Sequence, residues 1–121
     1  MFIKSINWID EEALEAEVTV SDNNIDILCF SHPFKKNIGE ILIDPIYCFD
    51  VENVILSDKE ITCASKNNST FGYSVRGRLI NKESKLVLLG NIKLCLEDTY
   101  ISDSIPEYCF IEFDVSRFDL Y

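Results

Sequence analysis

The chain has 121 residues, of which 47% are hydrophobic, and it carries 21 acidic and 11 basic side chains for a net charge of −10. This length predicts one domain over residues 1–121 with an ordinary hydrophobic core, and the hydrophobic content excludes a disordered acidic tail. No apolar run is long enough to span a bilayer, and the first residues lack the apolar region of a signal peptide, so a cytoplasmic protein is expected.

Acidic and basic residues are unevenly distributed along the chain. Residues 61–96 contain six basic side chains and one acidic side chain, a net of +5, whereas the other 85 residues contain five basic and twenty acidic side chains, a net of −15. A basic segment within an acidic protein predicts two surfaces of opposite charge, and surfaces of that kind usually face partners.

The first part of the chain is predicted to form short strands. Residues 2–9 are compatible with a strand and residues 10–14 with a loop. Residues 14–30 are predicted to form a hairpin, because apolar and polar side chains alternate in its first arm and an Asp-Asn-Asn tripeptide favours a tight turn.

The middle of the chain is less regular. Residues 40–49 are predicted to form a strand, in which Pro45 indicates an edge position or a bulge. The pattern leaves residues 51–57 open between a short strand and a helical turn, and residues 60–64 favour a short strand.

The clearest predicted unit is a long hairpin over residues 71–96. Its two arms contain Gly77 and Gly90, and a glycine within a strand indicates a bulge, a sharp bend or the close approach of another backbone. Residues 108–118 alternate in polarity and are predicted to form the last strand.

Six to eight short strands with frequent turns predict an all-β fold, which is a small antiparallel barrel or a sandwich. In strand order and glycine placement, the stretch 14–118 resembles an OB-type barrel. Its five strands would come from the hairpin 14–30, the strand 40–49, the hairpin 71–96 and the strand 108–118. The resemblance implies a ligand, such as an oligonucleotide, that lies across the barrel face.

Neither a metal site nor a cofactor is predicted. The five cysteines are odd in number and widely spaced, so buried free thiols are expected. Cys29 and the single histidine, His32, have a metal-like spacing, but a structural zinc site needs two such pairs. An enzyme that uses Cys29 or His32 is an alternative that loss of activity in His32→Ala would support.

Five carboxylates near the start of the chain are the predicted binding patch: Asp10, Glu11, Glu12, Glu15 and Glu17. The leading hypothesis is a non-enzymatic protein whose acidic surface engages a basic protein partner. Small size, acidity and the expected cytoplasmic location are properties that this chain shares with immunity-type proteins, which neutralise cationic toxins.

A second hypothesis uses the basic hairpin 71–96. Arg76 and Arg78 are two residues apart on a strand and should share one face, which Lys93 on the returning arm would join. Such a face binds phosphate or carboxylate, which is typical of a module that binds a ligand or single-stranded nucleic acid. The net negative charge of the chain argues against nucleic acid. Two alternatives stay open: the arginines pair with the protein's own acids, or the basic hairpin docks on the acidic face of a second copy.

Overall fold

The computed structural model describes residues 1–121 and consists of nine β-strands joined by turns and loops. The strands are β1 (Phe2–Asp10), β2 (Glu15–Ser21), β3 (Asp26–Ser31), β4 (Ile46–Leu56), β5 (Cys63–Lys66), β6 (Tyr73–Asn81), β7 (Leu86–Leu89), β8 (Ile92–Cys95) and β9 (Phe110–Asp119). The chain contains no helix that is long and apolar enough to cross a membrane.

A five-stranded barrel forms the centre of the fold. One edge of β9 pairs with β4 along residues 111–119, and the other edge pairs with β6 along residues 110–115. The pairs β4–β8, β8–β7 and β7–β6 complete the ring. The predicted small all-β barrel is therefore confirmed, with nine strands in place of the expected six to eight.

The strands of the ring differ from the OB-like assignment. The hairpin 14–30 lies outside the ring, because residues 2–10 form a full strand beside β2 and the sheet β1–β2–β3 meets β9 over only two residue pairs. Four of the five pairs in the ring are antiparallel, and the short pair β4–β8 is parallel, as is the pair β3–β9 outside the ring.

The returning arm of the long hairpin is two strands rather than one. Gly90 adopts a left-handed φ of +60° and forms a two-residue turn with Asn91, which brings β7 back against β8. The short strand predicted at 60–64 is β5, which begins at Cys63 and pairs with β6.

Strand β4 begins after Pro45, later than predicted, and continues through the ambiguous segment 51–57. Asp50 and Asn53 have φ values of 57° and 58°, a left-handed conformation that these two residue types tolerate. Each of them shifts the alternation of side chains by one position, so inward-facing residues become three apart along this stretch: Cys48, Val51 and Val54.

One cluster of 25 buried side chains fills the barrel and extends beneath the sheet β1–β2–β3. Inward-facing residues of β2 and β9 follow the predicted alternation: Ala16, Val18, Val20, Ile111, Phe113 and Val115. The hydroxyl oxygen of Tyr73 accepts a hydrogen bond from the Leu28 amide at 3.0 Å, which fastens the sheet to the barrel.

Asp22 joins the turn between β2 and β3 to the turn between β7 and β8. Its Oδ1 accepts hydrogen bonds from the amides of Asn24 and Ile25 at 2.9 and 2.7 Å, and its Oδ2 accepts one from the Asn91 amide at 2.8 Å. Burial opposes ionisation of this carboxyl, but the backbone donors outweigh burial and hold its pKa below the ordinary value. The predicted Asp-Asn-Asn turn thus also connects two hairpins.

Strand β6 passes close to β7 at Gly77. A Cβ atom at this position would lie 2.5 Å from Val87 Cγ1 and 2.9 Å from the Leu88 carbonyl oxygen. The expectation that a strand glycine marks close approach of another backbone is therefore confirmed at Gly77.

Gly77→Ala is expected to lower the free energy of unfolding by ~1–3 kcal/mol, because the Leu88 oxygen belongs to the backbone and β7 must move to admit the methyl group. Urea denaturation followed by circular dichroism measures the change. Gly39→Ala is the control: a Cβ there meets nothing within 4 Å, so any cost comes from its φ of +85° alone. A Gly77→Ala protein as stable as the parent would contradict the role of this contact.

Candidate binding surfaces

The five predicted carboxylates lie together at one end of the β1–β2 hairpin, and we call them the acidic patch. Asp10 ends β1, Glu11 and Glu12 occupy the turn, and Glu15 begins β2 directly opposite Asp10. Glu17 follows two residues later and shares the face of Glu15. All five side chains are exposed or half-buried.

No Lys or Arg forms an ion pair with the acidic patch. The four ion pairs of the chain are Lys4–Asp26, Lys36–Glu40, Arg76–Glu112 and Arg117–Asp119. Within the patch, Asp10 Oδ1 accepts a hydrogen bond from the Ala13 amide and Glu17 Oε2 accepts one from Asn7 Nδ2, both at 3.2 Å. Because like charges opposite each other on neighbouring strands repel, a cation from outside the chain would relieve a repulsion here.

Much of the predicted basic face is engaged within the protein. Arg76 Nε donates to Glu112 Oε2 at 3.1 Å, and Arg78 Nε donates to the Tyr108 carbonyl at 3.0 Å. Lys93 lies in the same cross-strand row as Arg78, with one residue of β7 between them, and it is exposed. Internal pairing with an acid therefore holds for Arg76, and Lys93 has no partner in the chain.

A second acidic region, which the sequence did not predict, surrounds an open pocket of ≈ 400 Å³. We call it the aromatic–acidic pocket, after three rings and three carboxylates in its walls: Tyr47, Phe49, Tyr121, Glu97, Asp98 and Asp119. The rings of Tyr47 and Tyr121 pack edge to face with centroids 5.4 Å apart. Glu97 and Asp98 are exposed, and their carboxylates take part in no ion pair.

Arg117 lies beside this pocket and is held by rings and a carboxylate. Its guanidinium carbon is 4.7 Å from the ring centroid of Phe30 and 4.8 Å from that of Phe49. The guanidinium also donates two hydrogen bonds to Asp119, which is only 6% exposed, so the pair compensates for the burial of this carboxylate. Aromatic rings and a carboxylate thus already stabilise one cation in this region.

The pocket is built by pairing between segments that are far apart in the sequence. Tyr47 lies opposite Cys95 in the parallel pair β4–β8 and opposite Asp119 in the antiparallel pair β4–β9. Neither pairing has a local sequence signature. The one hint in the sequence is Glu97-Asp98, two successive acids directly after a strand, and it indicates no particular neighbour.

The surroundings of Cys29 and Cys48 do not favour a reactive thiolate. Burial raises the pKa of the Cys29 thiol far above its ordinary value, and burial does the same at Cys48, so both are protonated at neutral pH. His32 lies at the surface. All five cysteines are free, but three are half-buried rather than buried as predicted: Cys63, Cys95 and Cys109.

Comparison of the chain with protein-family models, with curated proteins and with solved structures finds no match. The side chains likewise form no group of three or more that could hold a metal ion. A function must therefore be inferred from the charge and geometry of the acidic patch, the basic face and the aromatic–acidic pocket.

Two carboxylates on the outward face of β9 are held ionised by their neighbours. Asp114 accepts hydrogen bonds from Asn53 Nδ2 at 2.9 Å and from Ser74 Oγ at 2.8 Å, and these donors lower its pKa. The pKa of Glu112 is lowered in the same way, first by a hydrogen bond from Ser57 and then by a guanidinium. A lowered pKa in the folded state stabilises the protein above the unfolded pKa, and this stabilisation is lost as the pH falls through the folded pKa.

Asn53→Gly is expected to raise the pKa of Asp114 toward 3.8, because it removes the amide donor while glycine keeps the left-handed backbone. The stability lost on acidification from neutral pH should then be smaller than in the parent protein. A carbon-detected NMR titration of the carboxyl groups measures the pKa, with Glu112 as the internal control. An unchanged pKa of Asp114 would show that the Asn53 hydrogen bond does not set it.

Proposed function

We propose that this chain is a non-enzymatic binding protein whose acidic surface engages a basic protein partner. One form of this function is an immunity-type protein that neutralises a cationic toxin. The observation that supports the proposal is the acidic patch, where five neighbouring carboxylates have no Lys or Arg partner within the chain.

The charge of the whole chain favours the same function. Seventeen of the 21 carboxylates lie outside ion pairs, so the negative field extends into solvent. The Debye length is about 10 Å at 0.1 M salt, and within it such a field accelerates the encounter with a cationic protein. Association with the partner should therefore be fast and salt-sensitive.

The nucleic-acid hypothesis is less well supported by the contacts of the basic face. A phosphate that bound Arg76 would compete with Glu112 for the same guanidinium, and Arg78 already donates its Nε–H to the Tyr108 carbonyl. Of the three residues of the basic face, only Lys93 is exposed without a partner in the chain. A single lysine supplies too little charge for nucleic-acid affinity at moderate salt.

Neutralising the acidic patch is expected to weaken the complex with the basic partner by at least roughly tenfold, mainly through slower association. The variant carries Asp10→Asn, Glu11→Gln, Glu12→Gln, Glu15→Gln and Glu17→Gln, which keep side-chain size and hydrogen-bond acceptors. The partner is obtained by affinity capture from nuclease-treated lysate and then purified. Calorimetry and stopped-flow measurements give its affinity and association rate.

The matched control removes the same number of charges elsewhere. Five exposed carboxylates outside both acidic regions serve for this, changed to the corresponding amides: Asp44, Glu52, Asp58, Glu60 and Asp103. Equal losses in the two variants would mean that net charge, not the patch, governs binding. The absence of any basic protein that survives nuclease treatment would contradict the proposed function.

A fluorescence-anisotropy titration with labelled single-stranded oligonucleotides distinguishes the second hypothesis. We expect no saturable binding at physiological salt, because the arginines of the basic face are engaged and the chain carries a net charge of −10. Saturable, salt-sensitive binding that is lost in Arg76→Ala/Arg78→Ala would instead favour a nucleic-acid module.

A further inference from the structure

We infer that the aromatic–acidic pocket receives a lysine or arginine side chain of the basic partner, an inference that rests on the proposed function. The pocket is separate from the acidic patch in sequence, and its walls come from β4, β9 and the segment after β8. Its size, rings and charge each match a cationic side chain.

The size of the cavity fits a single side chain. Its volume of ≈ 400 Å³ is at the lower end of the range for small-ligand sites, and the cavity opens to solvent. A cavity this small admits the end of a side chain but not a folded segment of a partner. Partner residues on either side of the inserted side chain would remain free to contact the protein surface around the pocket.

Two of the three rings that line the pocket are exposed, although large aromatic side chains are usually buried. Phe49 is 53% exposed and Tyr121 is 78% exposed. Exposed aromatic rings beside a cavity are typical anchors at protein interfaces, and their faces attract Lys or Arg cations. Arg117, stacked on Phe30 and Phe49, is an example of this attraction within the same part of the chain.

The charge of the pocket is uncompensated at its rim. Glu97 and Asp98 project without an ion pair, and an adjoining cavity of ≈ 360 Å³ adds Glu83 and Lys85 to the same side. Burial raises the pKa of Cys95 there, and the charges of Glu97 and Asp98 add to this effect, whereas the charge of Lys85 and a backbone hydrogen bond oppose it. The local field is therefore negative where the rings are exposed.

The protein's own cations do not fill the pocket. Arg117 is bound to Asp119 by two hydrogen bonds, and Lys85 forms no ion pair with any carboxylate. A lysine or arginine that entered from a partner would lie among the rings that line the pocket and near the two rim carboxylates. Charge complementarity therefore selects a basic side chain over an apolar or acidic one.

The test uses N-acetyl-L-arginine amide and N-acetyl-L-lysine amide as probes, with N-acetyl-L-norleucine amide as the uncharged control. We expect saturable shifts in the amide NMR signals of Tyr47, Phe49 and Glu97, with a dissociation constant on the order of 1 mM, because the probe is small. The norleucine derivative should cause no saturable shift at these residues. Equal binding of all three probes would overturn the inference.

Variants assign the binding to the pocket. Glu97→Gln/Asp98→Asn is expected to weaken probe binding by roughly tenfold, and Phe49→Leu by a few-fold, since each removes one part of the attraction. Asp58→Asn/Glu60→Gln makes the same charge change outside both acidic regions and should leave probe binding unchanged. Weakening by both double variants alike would overturn the pocket as the site.

Failure of the inference and failure of the proposed function give different results. If the purified basic partner binds and depends on the acidic patch, while Glu97→Gln/Asp98→Asn has no effect on that complex, the inference fails and the proposed function stands. If no basic protein binds, the proposed function fails and the inference about its side chain fails with it. A dimer, seen by sedimentation velocity, that dissociates in Glu97→Gln/Asp98→Asn would assign the pocket to a second copy and overturn the inference.

Discussion

The pairing of β6 with β9 is the interaction on which the rest of the fold depends. It joins residues 73–78 to residues 110–115 and closes the ring that β4, β8 and β7 otherwise leave open. Closure removes two long sheet edges that would otherwise expose unpaired backbone groups. It also requires β7 to approach β6 closely, which the absence of a side chain at Gly77 permits. A sheet that stayed open would bury far less of the apolar face of β9.

The same closure determines where a binding pocket can form. Strand β6 covers one edge of β9 only as far as Val115, and near the end of β9 that edge meets β3, while β4 continues along the other edge to Asp119. There Phe118 still faces the core, whereas Arg117 and Asp119 lie beside rings of β3 and β4. The left-handed residue Asp50 turns β4 at the neighbouring position. Exposed rings and carboxylates therefore collect where the regular ladder ends.

The sequence predicted those features of the fold that depend on residues close together in the chain. The alternation in β2 and β9, the turn at Asp22 and the close approach at Gly77 all follow from residue types within a few positions. The ring itself depends on which distant strands pair, and no local pattern specifies those pairs, one of which is parallel. The OB-like assignment therefore placed the hairpin 14–30 in the ring wrongly. The acidic patch could be predicted because its residues are close together in the sequence. The aromatic–acidic pocket could not be predicted, because its residues come from distant parts of the chain: β4, the segment after β8, and the end of β9 with Tyr121.

The acidic patch and the aromatic–acidic pocket would contribute in different ways to the binding of a basic partner. The acidic patch lies on an exposed turn, where water and salt screen each carboxylate and single ion pairs contribute little to stability. In the proposed function the patch would act at long range, because the electric fields of several like charges add and orient an approaching cation. The pocket acts only at contact, because attraction between a ring face and a cation requires the two to be within about 6 Å. A patch that steers and a pocket that holds would affect association and dissociation rates separately, which explains why one protein would carry both.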